Sequence, residues 1–160
     1  MHRRVVLLSL LLWASLSAAT PVAAKEAAGG GVFLDLPGCL ASSPCSNTVT
    51  LFPQLRLVLG NGIVVAHLDV LHLLPTASAL WLPYVVLQFP LQISPEVAVT
   101  PYVGVAPLLG SVGSSSGSVD WLIKLGDLFS FEGFQLHTEV VLPLPFVSVP
   151  SLAFGSLATF

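Results

Sequence analysis

The chain has 160 residues, of which 54% are hydrophobic and only 8% charged, with a formal net charge of −3 and a mean hydropathy of +0.91. Soluble domains carry about 25% charged residues, so this chain has too few charges to cover an ordinary water-facing surface. Lysine and arginine together number five, which excludes the basic footprint of a nucleic-acid-binding protein.

Residues 1–24 read as a secretory signal. Met1-His2-Arg3-Arg4 is the charged start, Val5 to Leu16 is an apolar run broken only by Ser9 and Ser15, and Val22-Ala23-Ala24 offers small residues for cleavage before Lys25. A second cleavage position follows Ala19, and the alternative is a retained anchor, although the run is short for a span of ~20 residues. Residues 25–30 form a short small-residue leader, and 31–160 form one domain. Cys39 and Cys45, the two cysteines of the chain, flank Leu40-Ala41-Ser42-Ser43-Pro44. In an exported chain they are expected to pair as a disulfide that pins a loop. A pair of free thiols is the alternative, and a two-cysteine metal site lacks a nearby histidine.

From Gly31 onward apolar residues recur with period two, the period of a strand. Val97, Val99, Val103 and Val105 alternate with Ala98, Thr100, Tyr102, Gly104 and Ala106. Turn signals divide the chain into eight stretches, near 31–37, 47–59, 62–74, 81–93, 96–109, 118–131, 134–143 and 147–160. Gly60-Asn61-Gly62, Ser94-Pro95-Glu96 and Glu132-Gly133 are short connections. They alternate with longer ones: the Cys39–Cys45 loop, Pro75 to Ala79, and the Gly/Ser run from Gly110 to Ser118. The connection around Pro143-Leu144-Pro145 is short and departs from this alternation. Short turns at one end and long loops at the other predict an all-β, eight-stranded antiparallel up-and-down transmembrane β-barrel with both termini on the short-turn side.

Polar residues fall repeatedly on one parity. In the second stretch Thr48, Thr50, Gln54 and Arg56, with Phe52 and Val58, oppose Val49, Leu51, Leu55, Leu57 and Leu59. His67 and Asp69 share a face, as do Tyr84, Gln88 and Gln92, then Asp120 and Lys124, then Gln135, His137 and Glu139. The apolar faces are too many for one small core and are placed against lipid. Arg56, His67, Asp69, Asp120, Lys124, His137 and Glu139 then fill the lumen as a polar network, which must pair internally because an eight-stranded interior is only wide enough for side chains. Trp81, Trp121 and Tyr84 are candidates for an interfacial belt. Pro53, Pro90, Pro101 and Pro150 resist the pattern and call for bulges or strand ends. Asp127 falls on the apolar parity and calls for an interface position or a bulge. Membrane helices are disfavoured by Pro75, Pro83, Pro90, Pro143, Pro145 and Pro150, since proline inside a helix costs ~3 kcal/mol.

With its signal, its strand meander, Thr100-Pro101-Tyr102-Val103-Gly104-Val105-Ala106 and the ending Leu152-Ala153-Phe154-Gly155-Ser156-Leu157-Ala158-Thr159-Phe160, the chain resembles small bacterial outer-membrane β-barrel proteins of the eight-stranded OmpA/OmpX-like group. The resemblance covers residues 31–160. It implies outer-membrane lipid and the barrel-assembly machinery as partners, with Phe160 as the assembly signal and Phe154 on the same parity. An extracellular partner would meet the loops. Ala158 and Ser156 are smaller than the residues usual at those positions, and the loops carry fewer charges than in most members.

His67 with Asp69, and His137 with Glu139, place a base beside a carboxylate on one strand face. A zinc site wants three or four such ligands, and the plainer expectation is a satisfied polar core with no catalytic residue, metal or cofactor. A barrel that deacylates lipid A needs a serine activated by histidine, and no serine stands two positions from His67 or His137. The run Gly110 to Gly117 lacks the lysine of a phosphate-binding loop and reads as an exposed loop. The expected function is a structural or surface-interaction role in the envelope, with a filled lumen and no large pore. The alternatives are a soluble exported lipocalin-like lipid carrier, with apolar residues inside, and a lipid A-modifying barrel enzyme.

Overall fold

The computed structural model describes residues 26–36, 49–73, 78–108, 120–144 and 150–160, with Leu108 and Asp120 described in backbone alone. The signal segment, Cys39 and Cys45 lie outside the described residues. Among those described, the chain forms nine strands: β1 (Ala27–Asp35), β2 (Thr50–Leu59), β3 (Val64–Leu73), β4 (Ser78–Gln88), β5 (Leu91–Ser94), β6 (Val97–Leu108), β7 (Asp120–Phe131), β8 (Phe134–Leu144) and β9 (Ser151–Thr159). Each pairs antiparallel with its neighbour in sequence, except that β4 and β5 both pair with β6. Strand β1 pairs with β9, which seals the sheet. Since β4 and β5 are two segments of one stave, the wall is a closed eight-stranded up-and-down barrel. Closure gives every stave a hydrogen-bonded neighbour on both sides, so the sheet has no edge strand.

Short turns follow β2, β5 and β7, at the same end as the start of β1 and the finish of β9. Gly60 (φ +104°) and Gly133 (φ +82°) supply the left-handed backbone that two of these turns require. The long connections stand at the other end.

The first strand begins four residues before the sequence pattern suggested, so Ala27, Ala28, Gly29 and Gly30 belong to the wall and not to a leader. Glycine is depleted in strands, which hides this segment. Here Gly29 and Gly31 pair with Arg56 and Gln54 on one side and with Leu157 and Gly155 on the other. The fourth stretch is also interrupted: Phe89 and Pro90 separate β4 from β5.

The prolines divide into two groups. Pro90 and Pro150 lie at a strand break and just before β9. Pro53 and Pro101 keep their places in regular ladders, opposite Val32 and Asp127, with no bulge. Each forfeits only the one bond its missing N–H would make. The Phe89 N–H donates to the Pro101 carbonyl at 2.9 Å, so Pro101 faces the break at Pro90 and both defects share one seam. The register likewise runs unbroken through Asp127, which faces outward and half-buried opposite Pro101 and Thr138.

Candidate functional site

The pleat sends alternate residues into the lumen and out of the wall. On β7, Lys124 is fully buried while its neighbour Leu125 is 47% exposed. On β2, Arg56 is buried and Leu55 is 64% exposed. Large apolar side chains stand exposed on every stave but β1: Leu51, Val64, Val85, Val105, Leu136 and Leu152 are examples. Trp81 and Trp121 face outward toward the long-connection end, and Phe89, Phe134 and Phe160 toward the short-turn end. At a rise of about 3.3 Å per residue and a tilt of about 40°, the wall between Trp121 and Phe131 stands about 25 Å tall, the height of an apolar band in membrane barrels.

Inside, Arg56 is the hub. The β2–β3 hairpin sets Arg56 directly across from Asp69, and its Nε and Nη2 donate to Asp69 Oδ1 and Oδ2 at 2.5 and 2.6 Å. Nη2 also donates to Glu139 Oε1. Nη1 reaches Tyr102 Oη at 3.4 Å and His137 Nδ1 at 3.0 Å. A guanidinium can only donate, so His137 Nδ1 accepts and its ring proton sits on Nε2. Tyr102 Oη donates to Glu139 Oε2 at 2.6 Å. Lys124 Nζ donates to Asp69 Oδ2 at 3.0 Å and lies 3.8 Å from Glu139 Oε2. It also stands 3.9 Å from the centre of the Tyr84 ring, a cation–π contact. Two cations and two carboxylates therefore balance in one buried cluster, with their hydrogen-bonding atoms turned on one another.

Three strands make room for this cluster by presenting glycine to the lumen. A Cβ on Gly126 would stand 2.7 Å from Tyr102 Oη and 2.8 Å from Glu139 Cβ, and one on Gly155 2.6 Å from His137 Nε2. One on Gly104 would press on Val86 and Lys124. Toward the long-connection end Phe33, Phe52, Leu71 and Leu82 pack together in the core, alongside buried Gln54 and a Ser151 hydroxyl that donates to Asp35 at 3.3 Å.

Of the sequence-predicted lumen residues, the structure brings together Arg56, Asp69, Lys124, His137 and Glu139. His67 is buried beside them, edge-on to Tyr102 with ring centroids 5.3 Å apart, and its ring nitrogens have no protein hydrogen-bond partner. Asp120 opens β7 opposite Leu108 at the long-connection end. Tyr84 is a correction to the belt assignment: it is buried in the lumen beneath Lys124, because it shares parity with Leu82 and Gln88. Tyr102 lies on the polar parity but outside the predicted site residues, and its hydroxyl adds a second bridge between Arg56 and Glu139 beside their direct ion pair. Among the described residues no serine hydroxyl bonds either histidine, and no cluster of three metal-ligating side chains is present. The carboxylates that could serve a histidine base are held by Arg56 and Lys124.

Comparison with known proteins finds no matching family model, no matching curated protein and no matching solved structure.

Proposed function

We propose that this chain is a small outer-membrane β-barrel protein of the bacterial envelope, with a filled lumen and a structural or surface-interaction role. One observation carries the reading: large apolar side chains stand exposed on every stave but β1 while the charged residues pair inside. A contiguous apolar surface of that kind is not kept in water by a monomeric soluble protein, whereas a lipid-facing barrel requires it. The tryptophans and phenylalanines at opposite ends of the outer face fit the two aromatic girdles of such barrels. In this orientation the short turns face the periplasm, and the long connections face outward to meet an extracellular partner. Outward Phe154 on β9 and Phe160 just past its end are the residues offered to the barrel-assembly machinery. A lipocalin-like carrier needs the opposite parity, with its polar residues in water. A lipid A-modifying enzyme of the deacylase kind needs a histidine-activated serine.

Membrane fractionation combined with gel migration tests this. The protein is expected to require detergent for extraction and to migrate differently before and after boiling. Release in a salt wash, with identical migration in both states, would overturn the reading.

A further inference from the structure

At the short-turn end the lumen opens into a cavity of about 340 Å³, within the range of small-molecule sites. Its inner wall includes Gln88, Ala98, Thr100, Leu128 and Gln135, and its rim includes Glu96 and Glu132 on two of the short turns. The Gln88 Nε2 donates to the Gly62 carbonyl at 2.8 Å. A carbonyl only accepts, so the amide orientation is fixed. Gln88 Oε1 is left with no protein donor, on a residue with 0% exposure. Gln135 Nε2 bonds Ser130 Oγ at 3.1 Å, and Gln135 Oε1 also lacks a donor, at 5% exposure. Buried acceptors without donors are costly, and natural structures keep few of them. Among the described residues no lysine, arginine or histidine lines the cavity.

We infer that this cavity is a binding site for a small aliphatic ammonium ion. The ammonium N–H groups supply the donors that Gln88 Oε1 and Gln135 Oε1 lack. Its charge is matched by Glu96 and Glu132, and its methylenes pack on Ala98 and Leu128. A neutral polyol would leave the two carboxylates unmatched. A hard metal ion would want six or more oxygen ligands converging on one point, and among the described residues no group of carboxylates and other metal-ligating side chains converges in that way. The inference rests on the lumen geometry alone and holds whichever solvent surrounds the wall.

The test uses the full chain folded in detergent micelles, followed by side-chain amide NMR during titration with 1,4-diaminobutane. Saturable shifts of the Gln88 and Gln135 NH₂ signals are expected. Glu132→Gln, on an exposed turn, is expected to weaken binding by about 3–10-fold, as for loss of one charge-assisted contact, and Gln135→Leu to remove it. Dispersed backbone amide signals verify the fold of each variant. Absence of a saturable shift would overturn the proposal. So would equal shifts with calcium chloride or with succinate, or wild-type affinity in both variants.

Discussion

The inner and outer faces of the same strands are built on opposite chemistry. Inside, Arg56 and Lys124 are anchored to Asp69 and Glu139 with almost no exposure; outside, one residue away, Leu55 and Leu125 leave about half or more of their surface uncovered. Desolvating four ionised groups is expensive, and only close geometry with further hydrogen bonds repays it. Leucines on the outer face are stabilised by transfer into hydrocarbon and are a liability in water. The inner face is thus sensitive to the loss of a single partner, and the outer face to the solvent it meets.

Four substitutions press on that contrast. Arg56→Met leaves Asp69 and Glu139 with Lys124 alone, and is expected to cost about 3–5 kcal/mol, read as a fall in the denaturant midpoint of the folded barrel in vesicles. A drop below about 1 kcal/mol would mean that the cluster contributes no net structure. Leu55→Arg puts a charge in the middle of the outer wall and is expected to cost about 2–4 kcal/mol in a bilayer. In the same unfolding experiment, a neutral result would place that face in water. Gly126→Ala forces a methyl group against Tyr102 and Glu139, and overpacking of this kind is expected to cost about 1–3 kcal/mol; thermal unfolding in micelles reads it. Asp127→Leu removes the outward carboxylate of β7, and a gain of about 1 kcal/mol in vesicle stability is expected, since acidic residues on a lipid face cost less than basic ones.

What was legible in the sequence follows from which interactions are local. Period two exposes the two faces of each strand, because every strand of a closed wall separates the same two environments. The pairing of Arg56 with Asp69 is a local matter too, set by the tight turn at Gly60-Asn61-Gly62. The arrival of Lys124, Tyr102 and Glu139 at the same point depends on strand tilt and stagger around the whole barrel, which no single stretch encodes. Ala27 to Gly30 read as a leader because a strand gains nothing from glycine unless something crowds its face. Tyr84 looked like a belt residue because an amphipathic ring suits both a bilayer interface and a lumen roofed by Lys124. Prolines were weighed as strand breakers. Only Pro90 marks a break within the wall, and its partner across that break, Pro101, has already given up the donor.

Tryptophan quenching in lipid vesicles bears most directly on the outward placement of the oily face. In a Trp13→Phe background the protein keeps Trp81 and Trp121, both pointing outward with about half their surface free. Brominated acyl chains are expected to quench both strongly, while iodide in the aqueous phase leaves them bright. Strong iodide quenching with no response to the brominated lipid would contradict a lipid-facing wall.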